Sequence, residues 1–174
     1  MKITIITVSF NSANTIEKTF QSVKNQTFKD IEYILIDGDS TDSTLKIANQ
    51  YKEVITKIVS EPDKGLYDAM NKGIKLATGD VIGLINSDDL FCDPHALEKV
   101  VDVFTKNKNL DSVYADLFYV SQHDTNKIVR RWVTGKQKPF KNGWHPAHPT
   151  FYIKKSVYEQ YGLFDLSFKL AADF

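Results

Sequence analysis

Four apolar runs without polar alternation punctuate the first half of the chain: Ile3 to Val8, Ile31 to Ile36, Val54 to Val59 and Val81 to Ile85. A strand with one wet face alternates apolar and polar residues, so unbroken runs of this length belong to strands covered on both faces. The segments between them have helical periodicity. Asn14 and Glu17 have the spacing of a capping box, and Ile16, Phe20 and Val23 then share a helical face up to about Gln26. The cluster Asp37 to Asp42 is a turn that caps a helix carrying Leu45, Ile47, Ala48 and Tyr51. Tyr67, Met70, Ile74 and Ala77 line a third helix, and Asp93-Pro94 opens a fourth with Leu97, Val100, Val101 and Phe104 facing inward. Strand and helix alternate four times, which predicts an α/β, Rossmann-like fold: a mostly parallel sheet with helices on both faces and right-handed crossovers.

Past Asn109 the pattern changes. Ser112 to Val120 and Ile128 to Val133 read as two strands joined by a polar turn at Gln122 to Asn126, so the sheet gains a mixed C-terminal section. Thr150 to Ile153 reads as a short strand and Ser156 to Tyr161 as a short helix ended by Gly162. At 174 residues the expectation is a single domain. Apolar residues make up 42% and charged residues 25%, the balance of a globular chain rather than a disordered one. Lys plus Arg equals Asp plus Glu at 22 each, which argues against a dedicated nucleic-acid partner. The single cysteine, Cys92, forms no internal disulfide, no apolar run reaches membrane length, and Met1-Lys2 leads straight into a strand pattern, so no signal peptide is expected. A cytoplasmic location is the expectation.

The fourth run ends in Asn86, Ser87, Asp88 and Asp89. Adjacent carboxylates repel, and a cation between them is the simplest relief. Oxygen-only ligands suit Mg²⁺ or Mn²⁺, which bind one or two carboxylates together with the phosphates of a substrate. Capping of the following helix is the competing account. Asp37 and Asp39 end the second run in the same way, so acids gather at the carboxyl ends of strands, where open α/β sheets bind ligands. Lys127, Arg130, Arg131, Lys136, Lys138 and Lys141 lie among Trp132, Phe140 and Trp144. That mix allows peripheral contact with a membrane surface or an anionic acceptor, but a solvated loop is the favoured reading. His145 and His148, three apart and followed by prolines, lack the further ligands a zinc site needs, so packing is favoured.

Several segments together resemble the family 2 glycosyltransferases with the nucleotide-diphospho-sugar transferase (GT-A) fold. They are T-V-S-F-N at 7 to 11, I-D-G-D-S-T-D-S-T at 36 to 44, E-P-D-K-G-L-Y-D-A-M-N-K-G at 61 to 73, A-T-G-D at 77 to 80, L-I-N-S-D-D at 84 to 89, and G-L-F-D with A-A-D-F at the end. The stretch at 61 to 73 most resembles members that build bacterial surface polysaccharides. The resemblance implies an inverting, metal-dependent transferase that moves a sugar from a UDP- or GDP-sugar donor to a hydroxyl of a glycan or lipid-linked acceptor.

Carried over by position, Val8, Ser9 and Asn11 flank the nucleobase pocket, and Asp37 or Asp39 contacts base or ribose. Asp63, Lys64, Asn86 and Ser87 join the donor site. Asp88 and Asp89 hold Mg²⁺ or Mn²⁺, and Asp173 is the catalytic base. Two departures stand out: Gly38 separates Asp37 from Asp39, and Asn86 replaces the first acid of the Asp-x-Asp metal motif. By the same resemblance residues 1–110 form the nucleotide-sugar half and 111–174 the acceptor half, truncated at its C-terminus. A silent nucleotide-sugar-binding module and a sugar-nucleotide nucleotidyltransferase are the rival functions. The second wants a Gly-rich basic loop after the first strand, which Ser9 to Thr15 does not supply.

Overall fold

In the computed structural model, which describes residues 1–168, the four apolar runs form strands β1 (Ile3–Ser9), β2 (Ile31–Asp37), β3 (Lys57–Ser60) and β4 (Val81–Leu84). Helices α1 (Ile16–Lys24), α2 (Thr44–Ala48), α3 (Leu66–Leu76) and α4 (Ala96–Lys106) follow them in turn. The four strands pair in parallel in the order β3-β2-β1-β4. The chain then adds β5 (Ser112–Val113), β6 (Leu117–Val120), β7 (Ile128–Trp132), β8 (Tyr152–Lys154) and α5 (Lys155–Tyr161). Strand β8 lies between β4 and β5 and runs antiparallel to both, while β6 and β7 form a separate ribbon. The mostly parallel sheet and its mixed C-terminal section are thus both present.

Period-two alternation divides the core into two layers. Ile3, Ile5, Tyr33, Leu35 and Val81 pack with Ile16, Phe20, Leu97 and Phe104 of α1 and α4. Ile6, Val8, Ile34, Ile36 and Ile82 pack with Ala69, Met70 and Ile74 of α3, and Tyr158 of α5 lies against that layer. Helices therefore cover both faces, as unbroken apolar strands require.

The departures from expectation are local, and backbone and side-chain hydrogen bonds explain them. The capping box does not form: α1 begins after Thr15 with no side-chain cap, and the carbonyl of Ser12 receives the amides of Thr15 and Ile16. The third strand starts at Lys57, because Val54 and Ile55 still donate to the Tyr51 carbonyl as the preceding helical turn closes. The single strand expected from Ser112 to Val120 breaks after Val113. There the Ala115 carbonyl accepts from the Thr134 and Thr150 hydroxyls, and Asp116 accepts from the Thr134 amide, so the backbone has partners other than a ladder. Helix α4 starts at Ala96 rather than at Pro94, since the Asp93 carboxylate takes the His95 amide first.

A buried carboxylate locks the amino end of the sheet. Glu32 accepts hydrogen bonds from the Thr4 hydroxyl at 2.5 Å, the Thr78 amide at 2.6 Å and the Thr78 hydroxyl at 2.7 Å, with the Lys2 ammonium 3.6 Å away. Burial pushes its pKa up, and these donors together with Lys2 pull it further down, to a value below the ordinary 4.5. A depressed folded pKa stabilises the protein above the unfolded value, and that stabilisation is lost as pH falls through the folded one. Glu32→Gln is therefore expected to cost about 1–3 kcal/mol at pH 7. The gap to the wild-type chain should narrow as denaturation is followed by circular dichroism towards pH 3, and a constant gap would refute this account.

Candidate active site

Parallel strands end on one rim, and the loops leaving β1, β2 and β4 bring most of the expected residues there. Asp37, the last residue of β2, is fully buried, and its carboxylate is surrounded by donors. Ser9 Oγ donates to Oδ1 at 2.8 Å and Ser40 Oγ to Oδ1 at 2.6 Å. The Ser40 amide donates to Oδ2 at 2.9 Å and Ser60 Oγ to Oδ2 at 2.8 Å. A carboxylate offers about four lone-pair directions, and these four donors fill them. Asp37 thus ties β1, β2 and β3 together at the rim, and Asp39 next to it is exposed in the left-handed region at φ 65°.

The β1 loop is anchored to the β2 loop by Asn11, also left-handed at φ 48°. Its amide donates to Ser40 Oγ at 2.8 Å, and its Oδ1 accepts from the Thr41 amide at 2.9 Å. One residue further, the Ser12 amide donates to Thr44 Oγ1, and Ser12 Oγ meets Ser87 Oγ at 2.8 Å. A continuous set of contacts therefore runs from Asp37 through Ser40, Asn11 and Ser12 to Ser87, the neighbour of Asp88. Gly38 completes the corner: a Cβ there would lie 2.6 Å from Asp63 Oδ2 and 3.5 Å from the Phe10 ring. With Gly38 the Asp63 carboxylate sits in the space a side chain at 38 would take, so any larger residue there requires Asp63 to move aside.

Asp88 is exposed and Asp89 half-buried. Burial first, and the adjacent Asp88 charge second, raise the Asp89 pKa above its ordinary value, while Asn86 Nδ2 donates to Asp89 Oδ2 at 2.9 Å. The repulsion between these two acids is the kind that a bound cation removes, and the donor set is all oxygen, so the residues fit a hard divalent ion that also takes phosphate oxygens. Among the described residues no group of three or more His, Cys, Asp or Glu is arranged to enclose a metal by protein ligands alone.

The other expected residues are placed differently. Val8 is buried in the α3 layer, so its side chain belongs to the core. Lys64 is exposed, and its amide donates to Asp68. Asp173 lies outside the described residues. The histidines pack: Trp132 meets His145 edge-on at 5.1 Å, and His148 lies 6.2 Å from the Phe164 ring. Two contributors went unread in the sequence. Phe10 is 64% exposed at the rim beside Gly38, and an aromatic residue inside a polar turn was its signal. Buried Asn71 on α3 clasps the backbone of Phe164 with both halves of its amide, which holds the 162–165 segment against the domain. A separate open groove of about 700 Å³, lined among others by Lys18, Gln21, Phe91, Cys92 and Thr125, lies against the outer side of α1. None of the rim residues described above lines it.

The family model for glycosyl transferase family 2 matches residues 4–167. The chain belongs to this family. It is 29% identical to an uncharacterised glycosyltransferase of Mycobacterium tuberculosis over 98% of its own length, and 30% identical to a PGL/p-HBAD biosynthesis glycosyltransferase of Mycobacterium bovis over 97%. In both cases it spans 65% of the relative's length. Among solved structures, residues 1–349 of TarS from S. aureus superpose over 99% of this chain and 53% of TarS, with a TM-score of 0.76 and 19% identity. The mannosyltransferase PcManGT from Pyrobaculum calidifontis, solved with GDP-Man and Mn²⁺, gives a TM-score of 0.73 at 19% identity over 94% of this chain and 47% of its own. The fold of this family 2 member is therefore that of the GT-A glycosyltransferases.

Proposed function

We propose that the chain binds a nucleotide-diphospho-sugar at the β1–β2–β4 rim and transfers its sugar, with inversion, to a hydroxyl of a glycan or lipid-linked acceptor in surface polysaccharide or glycolipid synthesis. The observation that supports the reading above others is the run of contacts from Asp37 through Ser40, Asn11 and Ser12 to Ser87, which joins the residues read as nucleoside-binding to the carboxylate pair read as metal-binding. TarS is described with UDP-GlcNAc and PcManGT with GDP-Man and Mn²⁺, which supports a donor of this class.

In this reading the exposed ring of Phe10 stacks on the base. Asp39 and Asp63, whose neighbourhood Gly38 keeps open, contact base or ribose, and Lys64 lies by the phosphates. Asp37, its lone pairs already filled, shapes the pocket rather than touching the ligand. Asp88 and Asp89 would hold Mg²⁺ or Mn²⁺, which when bound offsets the charge that develops on the departing nucleotide diphosphate. Asp173 takes the acceptor proton as general base. Asn86 leaves one acid fewer than the usual motif, so a silent binding module is the reading to exclude.

Calorimetric titration with UDP and GDP, each with and without Mn²⁺, tests the donor site, and metal-dependent hydrolysis of the sugar donor separates an enzyme from a silent module. Binding of one nucleotide that strengthens with Mn²⁺ is expected, and no heat with either nucleotide sinks the proposal. Phe10→Ala is expected to weaken nucleotide binding by roughly 10-fold, since a base–aromatic stack is worth about 1–3 kcal/mol.

A further inference from the structure

The β6–β7 ribbon exposes apolar side chains that a water-facing element has no reason to display. Phe118 pairs with Arg131 across the ribbon, so the two share a face. Val120 follows on the same side of β6, and because the register shifts between Tyr119 and Val120 it pairs with Ile128, with Val129 at the irregularity and Val133 just beyond the end of β7. Phe118, Val120, Ile128, Val129 and Val133 are all exposed, Val129 to 61% and Val133 to 69%. The Arg131 guanidinium lies 5.3 Å from the Phe118 ring centroid, which stretches the cation along the apolar face rather than away from it. Between residues 117 and 141 the sequence has six cationic side chains and a single acid, Asp124, although the whole chain is neutral. Positive charge is therefore concentrated on and beside the ribbon.

We propose that this ribbon face docks on a lipid bilayer with anionic headgroups. Apolar side chains interleaved with Lys and Arg suit the interface of such a membrane: the former enter the acyl boundary, the latter meet phosphates. A polyanion such as nucleic acid rewards the cations and leaves the valines in water. A second copy stacked on the same face brings Arg131 and its neighbours against like charges. Anionic lipid is the partner that uses both features.

The location adds a function. Val113 of β5 and Tyr152 of β8 are paired with each other, and Tyr152 is paired with Gly83 near the end of β4. The whole excursion from 114 to 151 therefore leaves and rejoins the sheet at the rim of the candidate active site. Its root is fixed by the Thr134 bonds to Ala115 and Asp116 and by Trp132 against His145. A bilayer held there presents a lipid-linked hydroxyl to the rim. That last step rests on the glycosyl-transfer reading, whereas the docking itself does not.

Co-sedimentation of the full chain with phosphatidylcholine vesicles, with and without phosphatidylglycerol, tests the docking. Sedimentation only with the anionic vesicles, weakened by added salt, is expected. Arg130→Glu with Arg131→Glu should lower the partition coefficient by at least roughly 30-fold, at about 1 kcal/mol per basic residue near the surface. Val129→Asn with Val133→Asn should lower it on the same vesicles at constant charge, and an unchanged circular dichroism spectrum shows that either double variant is folded. Equal binding to neutral vesicles, no binding to either, or binding indifferent to both double variants overturns the proposal. So does dimerisation lost in the variants without any vesicle binding, which would assign the face to a second copy.

Discussion

Asp88→Asn is expected to eliminate the Mn²⁺-dependent part of donor binding and to reduce donor turnover by roughly 10²–10³-fold, the range seen when one electrostatic contact to the developing charge is removed. The substitution keeps the size and hydrogen-bonding reach of the side chain and removes only its charge. Asp88 is exposed, so the fold should be indifferent and the melting temperature of the metal-free protein unchanged. Nucleotide binding without metal should survive, because Phe10 and the Asp63 corner are untouched. The measurement is a thermal-shift panel of UDP and GDP with and without Mn²⁺, since a ligand that binds only the folded form raises its melting point. If the variant retains the full Mn²⁺ effect, the cation is held elsewhere and the site has been misassigned.

Asp37→Asn should act in the opposite way, on the fold before the ligand. The amide replaces an acceptor oxygen with a donor nitrogen, so two of the four hydrogen bonds from Ser9, Ser40 and Ser60 face a donor instead. The site is buried, and hydrogen bonds to a charged group are worth about 1.5–3 kcal/mol each, reduced here by the freedom of serine hydroxyls to turn away. A loss of about 3 kcal/mol is expected, or roughly 6–12 °C in melting temperature for a domain of this size. Weaker nucleotide binding follows as the β1 and β2 loops separate. Loss of UDP or GDP binding with an unchanged melting temperature would show that Asp37 touches the ligand directly.

Much of the fold was legible because its signal is redundant. Each parallel strand is apolar on both faces, each helix has a separate stripe, and either pattern alone predicts the alternation. What the sequence hid was decided by hydrogen bonds that its pattern does not encode. The strand expected from Ser112 to Val120 breaks because Thr134 and Thr150, far along the chain, take its hydrogen bonds. The capping box fails because the Ser12 carbonyl serves the first turn of α1. At the site, the gathering of acids at strand ends was visible from composition and position. The distinction between Asp37 as a structural acceptor and the exposed Asp39 was not, since it depends on Ser9 of β1, Ser60 of β3 and Ser40 in the loop after β2 meeting at one carboxylate. Gly38 looked like a gap in an acidic pair, and the space beside it is taken by the Asp63 carboxylate.

The placement of β8 has a consequence for assembly. Strand β5 pairs with β8 and not with β4, so its two residues find their place in the sheet only after Tyr152–Lys154 arrive almost forty positions later. Until then one side of β4 stays bare. On a ribosome adding roughly 5–20 residues per second, the 70 residues from Leu84 to Lys154 keep that edge exposed for about 3.5–14 s. The nascent β3-β2-β1-β4 layer is thus open to intermolecular strand pairing during that interval, and a chaperone that shields β4 should raise the yield of native protein more than one acting on the finished chain.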